Sequence, residues 1–259
     1  MRPIFCPVCN SPYSLYVHDV IGKRTGRRIP QHHCMDCKSF FNISGYKEDE
    51  QTLKEDLTYL INKQDHIAAI QNQLFHEISA RTQGVNRVLE IGAGSGLFLK
   101  AATYNGIEAI GYDLNYHAAK YAREVIGVNV IASQLSEQEP IGKFDLICAI
   151  GVFEHVEQPR ELMKLLLNFI ETDGYLYVNV PFVDREHWKY LMRIEESPAE
   201  KSPPDPFYDN DVHIIHFSRQ GLEQMGRSMG AKTADYFVSK DVSTKSPGGA
   251  YPGMLFRFI

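Results

Sequence analysis

The chain has 259 residues, 44% of them apolar, five cysteines and a formal net charge of −5, which suits one full α/β domain with a small appendage. An acidic balance argues against a nucleic-acid footprint spread over the whole protein. No apolar run approaches the roughly 18 residues of a membrane span, and the first residues lack the hydrophobic core of a signal peptide, so a cytoplasmic protein without a membrane partner is expected.

Charge is uneven: residues 1–47 carry +5 and the remainder −10. That basic segment holds Cys6-Pro-Val-Cys9 and Cys34-Met-Asp-Cys37. Two C-x-x-C turns present four thiolates to one ion at tetrahedral spacing, the pattern of a closed structural zinc site. Iron in the same ligand set is the rival, and disulfides are the alternative that a reducing compartment disfavours. Between the pairs, Tyr13–Val17 alternates as a strand, Gly22-Lys-Arg-Thr-Gly26 reads as a hairpin turn, and Phe40-Phe41 follows the second knuckle. Residues 1–47 are therefore expected to form a zinc ribbon, with His18, His32 and His33 on its surface because four thiolates fill the tetrahedron.

Leu53, Leu57, Leu60, Ile61, Ile67, Ile70, Leu74 and Ile78 recur mostly at three- and four-residue intervals. They predict a helical linker over residues 48–84, broken near Asn62–Asp65, that caps the active-site side of the core.

Next comes Arg87-Val-Leu-Glu-Ile-Gly-Ala-Gly-Ser-Gly-Leu-Phe98, leading on to Gly111-Tyr-Asp113. A short β-branched strand runs into a glycine turn and a helix, and a second strand ends in a carboxylate. A dinucleotide fingerprint, G-x-G-x-x-G, would need its third glycine at Leu97 or Leu99, and neither frame fits. The arrangement Glu90-x-Gly92-x-Gly94-x-Gly96 with Asp113 instead resembles the first motif of class I S-adenosylmethionine-dependent methyltransferases. The resemblance, covering about residue 85 to the C-terminus, implies that the glycine loop packs under the methionine part of the cofactor. It also implies that Asp113 accepts hydrogen bonds from the ribose hydroxyls. Cofactor contacts are expected from Glu90, Gly92, Ala93, Gly94, Gly96, Asp113, Leu114, Gln134 and Ile150.

Strands are predicted at Val88–Ile91, Ala109–Tyr112, Val128–Ala132, Phe144–Ala149 and Tyr175–Val180, mostly separated by helical segments, which is the alternation of a doubly wound, Rossmann-like parallel sheet. A helix near Ser218–Arg227 and strands at Tyr236–Ser239 and Met254–Ile259 supply a terminal antiparallel hairpin. Gln134 stands where the family usually has an acid for the adenine amino group. Cys148, inside a strand, reads as a small core hydrophobe.

The loop after the fourth strand carries Phe153-Glu154-His155, similar to a string in many small-molecule methyltransferases and in cyclopropane-forming lipid enzymes. Glu154 and His155 are read either as orienting substrate or as capping the helix that begins near Gln158-Pro159. Between about 182 and 217 the periodicity lapses into an aromatic and proline-rich stretch, the expected lid. His213, in Asp211-Val-His-Ile-Ile-His-Phe-Ser218, is the closest match to the histidine base of related families. These include sugar C-methyltransferases with an N-terminal zinc module; a packing role is the alternative.

Together these residues point to a methyltransferase acting on an oxygen, carbon or nitrogen of a small metabolite, such as a sugar or a natural-product intermediate. An RNA methyltransferase docking through its basic ribbon is the second reading. A non-catalytic cofactor-binding protein is the third.

Overall fold

In the N-terminal segment, strand β1 (Ser14–Ile21) runs antiparallel to β2 (Arg28–Cys34), which pairs in turn with β3 (Phe40–Asn42). The computed structural model describes residues 4–22, 24–42, 49–183, 188, 192, 211–240 and 250–259. After β3 come helices α1 (Glu50–Asn62) and α2 (Gln64–Ser79), with the break at Lys63. The order continues as β4 (Arg87–Ile91), α3 (Leu97–Tyr104), β5 (Glu108–Tyr112), α4 (Tyr116–Tyr121), β6 (Asn129–Ile131) and β7 (Phe144–Ile150). It closes with α5 (Pro159–Leu167), β8 (Ile170–Asn179), β9 (Ile215–His216), α6 (Arg219–Ser228), β10 (Ala231–Lys240) and β11 (Ala250–Phe258). No described helix is long and apolar enough to cross a membrane.

Two compact units emerge. The larger spans Glu48–Val152, Lys164–Asn179 and Gly230–Ile259. Its seven-stranded sheet has the order β10-β11-β8-β7-β4-β5-β6, with β8 through β6 parallel and β11 antiparallel to both its neighbours. Central strands of a parallel sheet are covered on both faces, which is why β4, after Arg87 at its start, is apolar except for Glu90. The chain moves outward from β4 to β5 and β6, then returns to the other side of β4 with β7. Strand order therefore reverses at the carboxyl end of β4, where open α/β sheets hold their ligands.

Leu74, Phe75 and Ile78 of α2 pack with Phe98, Ala101 and Ala102 of α3 against Val88, Leu146, Cys148 and Tyr177. Ala93, Leu99, Ala119, Ala122, Val128 and Val130 form a second apolar cluster. The helical stripe expected to cap the site thus divides its labour: α2 belongs to the core, while α1 reaches the glycine loop.

The smaller unit comprises Met1–Lys47, Phe153–Met163 and Val180–Met229. Sequence spacing suggested residues 1–47 as a module of their own. In the structure they share one compact unit with two later segments, because β3 pairs antiparallel with β9, Phe40 opposite His216 and Phe41 opposite Ile215. Ser218 caps α6, its Oγ accepting from the Gly221 amide at 2.8 Å, and its hydroxyl donates to the carbonyl of Cys37.

The three ribbon histidines depart from expectation. His18, His32 and His33 are 8%, 6% and 6% exposed rather than on the surface. His32 stacks on Phe41 with ring centroids 5.5 Å apart, and His33 lies 4.4 Å from Phe40. Imidazole gains more from these flat apolar partners than from water once the sheet gathers four strands, and burial lowers the pKa of His32 and His33 so that both stay neutral. Most of the expected lid falls outside the described residues, including the prolines and aromatics of 193–210.

Candidate functional site

The loop after β4 is shaped by three left-handed glycines: Gly92, Gly94 and Gly96 have φ of +68°, +52° and +75°. A Cβ on Gly92 would meet Val152 Cγ2 at 2.4 Å, and one on Gly96 would meet Val128 Cγ2 at 2.5 Å. At Gly94 the nearest atom is Leu60 Cδ1 at 3.6 Å, ordinary contact. Gly92 and Gly96 are thus demanded by packing inside the unit, whereas Gly94 leaves room for something else to approach its backbone.

Asp113 closes this loop from the end of β5. Its Oδ2 accepts from the Gly94 amide and its Oδ1 from the Asn115 amide, both at 2.6 Å. A carboxylate offers about four lone-pair positions, so two remain for further donors. Burial raises the Asp113 carboxyl and the two amides pull it back. Glu90, one strand over and 3% exposed, is raised well above the usual carboxylate range by burial and then by the charge of Asp113. Its Oε2 has no hydrogen-bond partner among the described residues.

Helix α1 completes the surroundings. The Asn115 side chain accepts from the His117 and Ala118 amides to cap α4, and its Nδ2 donates to the carbonyl of Leu53 at 2.9 Å. Other expected contacts are more scattered. Ala93 is buried in the second apolar cluster, Ile150 is half-buried at the end of β7, and Leu114 and Gln134 are exposed. The fit to a nucleoside cofactor rests on the loop: a carboxylate with spare acceptor positions, an open glycine backbone and an orphaned acid at Glu90.

In the smaller unit the four cysteines converge. Cys6 and Cys37 sulfurs are 3.6 Å apart, and those of Cys9 and Cys34 are 3.5 Å apart. A disulfide would need about 2.05 Å, whereas sulfurs at about 2.3 Å from a tetrahedral zinc stand about 3.8 Å from each other. The two knuckles repeat one geometry: the Asn10 amide donates to the Cys6 carbonyl and the Lys38 amide to the Cys34 carbonyl, with Asn10 and Lys38 at φ +62° and +63°. The hydrogen bond shared by Cys6 and Cys37 favours the thiolate on Cys37, the form a metal requires. Four sulfurs in this arrangement are compatible with a zinc ribbon.

A second group in this unit brings together three residues the sequence singled out. The turn Phe153–His155 carries Glu154, buried, and His155, and one donor atom from each of these and from His213 lie within 4.8 Å of one another. At the start of α5 the amides of Glu161 and Leu162 are both taken by the Gln158 carbonyl. The Glu154 carboxyl is pushed up to about 8 by burial. The base role imagined for His213 asked for a near-neutral imidazole. Burial, then the neighbouring His155, His216 and Arg24, instead holds His213 down to about 2.

Sequence reasoning quoted Asp211 without giving it a task. It is 1% exposed and accepts from the Arg24 amide at 2.6 Å, the Thr25 amide at 3.3 Å and the Thr25 hydroxyl at 2.6 Å. It therefore ties the ribbon hairpin to the segment that bears His213. No local signal marks that bond, whose partners lie at opposite ends of the chain.

Comparison with known proteins adds the following. A family model described as a methyltransferase domain matches residues 62–234. The ubiquinone biosynthesis O-methyltransferase of Idiomarina loihiensis is 26% identical over 110 residues, covering 39% of this chain and 45% of that protein. The enzyme of the same name from Glaesserella parasuis is 26% identical over 130 residues, covering 45% and 54%. The chain thus spans about half the length of these relatives. Among solved structures, the plantazolicin methyltransferase BpumL in complex with SAH aligns with a TM-score of 0.58 at 16% identity, covering 82% of this chain and 92% of that one. A SAM-dependent methyltransferase from Archaeoglobus fulgidus aligns at 0.56 with 18% identity, covering 77% and 99%. At such identities the likeness is one of fold.

Proposed function

The chain belongs to the methyltransferase-domain family, and from that premise we propose that it is an S-adenosylmethionine-dependent enzyme that methylates a small metabolite, with a hydroxyl oxygen as the favoured acceptor. The observation that carries this reading is the pairing of Asp113 with the open backbone of Gly94. Two amides fix the carboxylate, and its remaining lone pairs suit the two hydroxyls of a ribose. Oxygen is favoured by the likeness to the two ubiquinone biosynthesis O-methyltransferases.

When bound, S-adenosylmethionine supplies a methyl group on a positively charged sulfur that leaves readily. The residues of the chain supply position. Asp113 takes the ribose, the Gly92–Gly96 backbone admits the cofactor closely, and the unpaired carboxyl of Glu90 awaits a polar partner beside the loop. Alignment of this kind is capable of about 7–11 kcal/mol when reacting atoms are held near attack distance. An imidazole held near 2 is poorly matched to drawing a proton from a hydroxyl on its own. A role in handling the acceptor's proton is therefore proposed for Glu154, His155 and His213 as a group rather than for His213 alone. Cys6, Cys9, Cys34 and Cys37 are assigned a structural zinc ion, and thiols kept for a metal suit a reducing, cytoplasmic setting.

Titration calorimetry with S-adenosylmethionine, followed by mass analysis of a hydroxylated acceptor panel, tests the reading. Saturable uptake and a product heavier by one methyl group are expected, and no uptake of the cofactor or its demethylated product overturns it. A nucleic-acid acceptor is the second reading, favoured by the +5 charge of residues 1–47. RNA affinity falling steeply with salt would select it.

A further inference from the structure

We propose that Glu154, His155 and His213 form a second metal centre, distinct from the four cysteines, that takes one divalent first-row transition ion through a carboxylate and two imidazoles. Three independent features of the group point the same way. The donor atoms already converge within 4.8 Å, with Glu154 Oε1 and His155 Nε2 at 3.9 Å and the two imidazole rings 4.8 Å apart at 70°. Bonds of about 2.0–2.2 Å to nitrogen and oxygen ask for donors about 3–3.5 Å apart, a closure within reach of small side-chain rotations.

The tautomer of His155 is set for ligation. Its Nδ1 lies 3.0 Å from the Val212 carbonyl, which can only accept, so Nδ1 carries the proton and Nε2 keeps the lone pair on the side of Glu154. A metal-bound histidine is commonly held in this way, by a carbonyl on its other nitrogen. Val212 sits between Asp211, fastened to the ribbon hairpin, and His213 itself. One short segment thus orients one ligand and supplies another.

Polar atoms of the group are left over. Glu154 and His213 are 3% and 8% exposed, yet Glu154 Oε2 and His213 Nδ1 have no hydrogen-bond partner among the described residues. Buried polar atoms ordinarily find a partner in the protein, a water or a ligand. Glu154 Oε1 and His155 Nε2, at 3.9 Å, stand too far apart for a hydrogen bond between them.

The donor set decides the class of ion. Imidazole suits zinc, copper, iron and nickel, and one carboxylate with two imidazoles leaves coordination positions open, whereas magnesium and calcium ask for oxygen. The centre lies wholly within the smaller unit, and the presence of the ion does not depend on the methyltransferase reading.

The decisive measurement is metal stoichiometry on the purified full-length chain after zinc loading and exhaustive dialysis. Two ions per chain are expected in the wild type and one in His213→Ala, Glu154→Gln and the more exposed His155→Ala, each checked by circular dichroism. Manganese, which thiolates bind poorly, should give a saturable paramagnetic-resonance titration in the wild type that these variants lose. One ion per chain in the wild type with no saturable manganese binding would overturn the centre, as would variants that bind as the wild type does. Cofactor affinity, read on the same samples, reports separately on the methyltransferase assignment.

Discussion

Gly22 and Asp211 are fitted to one another: a Cβ added at Gly22 would stand 2.1 Å from Asp211 Oδ1. The glycine lets the hairpin turn close over the carboxylate, which then collects the amides of Arg24 and Thr25 and the Thr25 hydroxyl. Asp211→Ala should destabilise the protein by about 2–4 kcal/mol, since it strands donors that a charged acceptor now satisfies. Gly22→Ala should cost about 1–3 kcal/mol through overpacking alone. Thermal denaturation checks both, and a melting temperature unchanged in Asp211→Ala would show that the clamp bears no load.

The three loop glycines should behave differently when replaced. Alanine at Gly96 meets Val128 Cγ2 at 2.5 Å and Ala122 Cβ at 3.2 Å, and it adds a left-handed penalty of about 1–2 kcal/mol to an overpacking cost of about 1–3 kcal/mol. Gly96→Ala is expected to fold poorly. Gly94→Ala suffers only the backbone penalty, because its nearest neighbour is 3.6 Å away, and should fold while binding cofactor weakly. Denaturation and calorimetry on the pair separate a packing glycine from a ligand-facing one. Equal cofactor affinity in Gly94→Ala and wild type would remove Gly94 from the binding surface.

Elements with a strong local period were legible from sequence to within a few residues: β4 was expected from Val88 and runs from Arg87, and the helix break near Asn62 falls at Lys63. The glycine loop and Asp113 were legible too, because positive φ and a strand-ending carboxylate leave a local mark. What escaped were pairings between distant segments. The two-residue strand β9 has too little length for any period, yet it joins Phe40 and Phe41 to the segment bearing His213. His32 and His33, expected on the surface because four thiolates fill the metal tetrahedron, instead lie against Phe41 and Phe40 of the neighbouring strand. Glu154 and His155 were read from sequence either as orienting substrate or as capping the next helix, and their neighbour His213 lies far along the chain.

Asp113→Ala should weaken S-adenosylmethionine binding about a hundredfold or more, the loss of two charge-assisted bonds of about 1.5–3 kcal/mol each. Asp113→Asn keeps the shape and one acceptor and should fall between. Calorimetry measures the series. Wild-type affinity in the alanine variant would dismiss the ribose contact.

If the four cysteines hold the proposed zinc, replacing Cys34 by serine should empty the thiolate site and unravel the knuckles, because a structural zinc contributes about 10–16 kcal/mol of apparent free energy to small units of this kind. Since β2 ends at Cys34 and carries β3 and β9 beside it, the loss should spread to the segment around His213. Elemental analysis should find one zinc fewer, and hydrogen exchange should quicken at Phe40–Asn42 and Ile215–His216 together. Fast exchange confined to the knuckles would mean that the strand pairing stands without the metal.

Glu90 gives the pH dependence a sign. Burial and the charge of Asp113 raise its folded-state pKa well above that of an unfolded glutamate, so between the two values the folded chain binds the extra proton. Stability therefore falls as pH rises across that window: the contribution of Glu90 is fully present below the ordinary carboxylate value and is lost as pH passes through the raised one. Glu90→Gln, which keeps a neutral polar side chain at the same place, should flatten this part of the profile and leave the rest unchanged. Urea denaturation of both proteins at a series of pH values measures it. Parallel profiles would mean that the buried carboxyl ionises as freely in the folded chain as in water. A bound cation partner, such as the ammonium of the cofactor, should lower the Glu90 pKa and shrink the same window. Repeating the series with saturating cofactor therefore tests whether the orphaned oxygen faces the ligand.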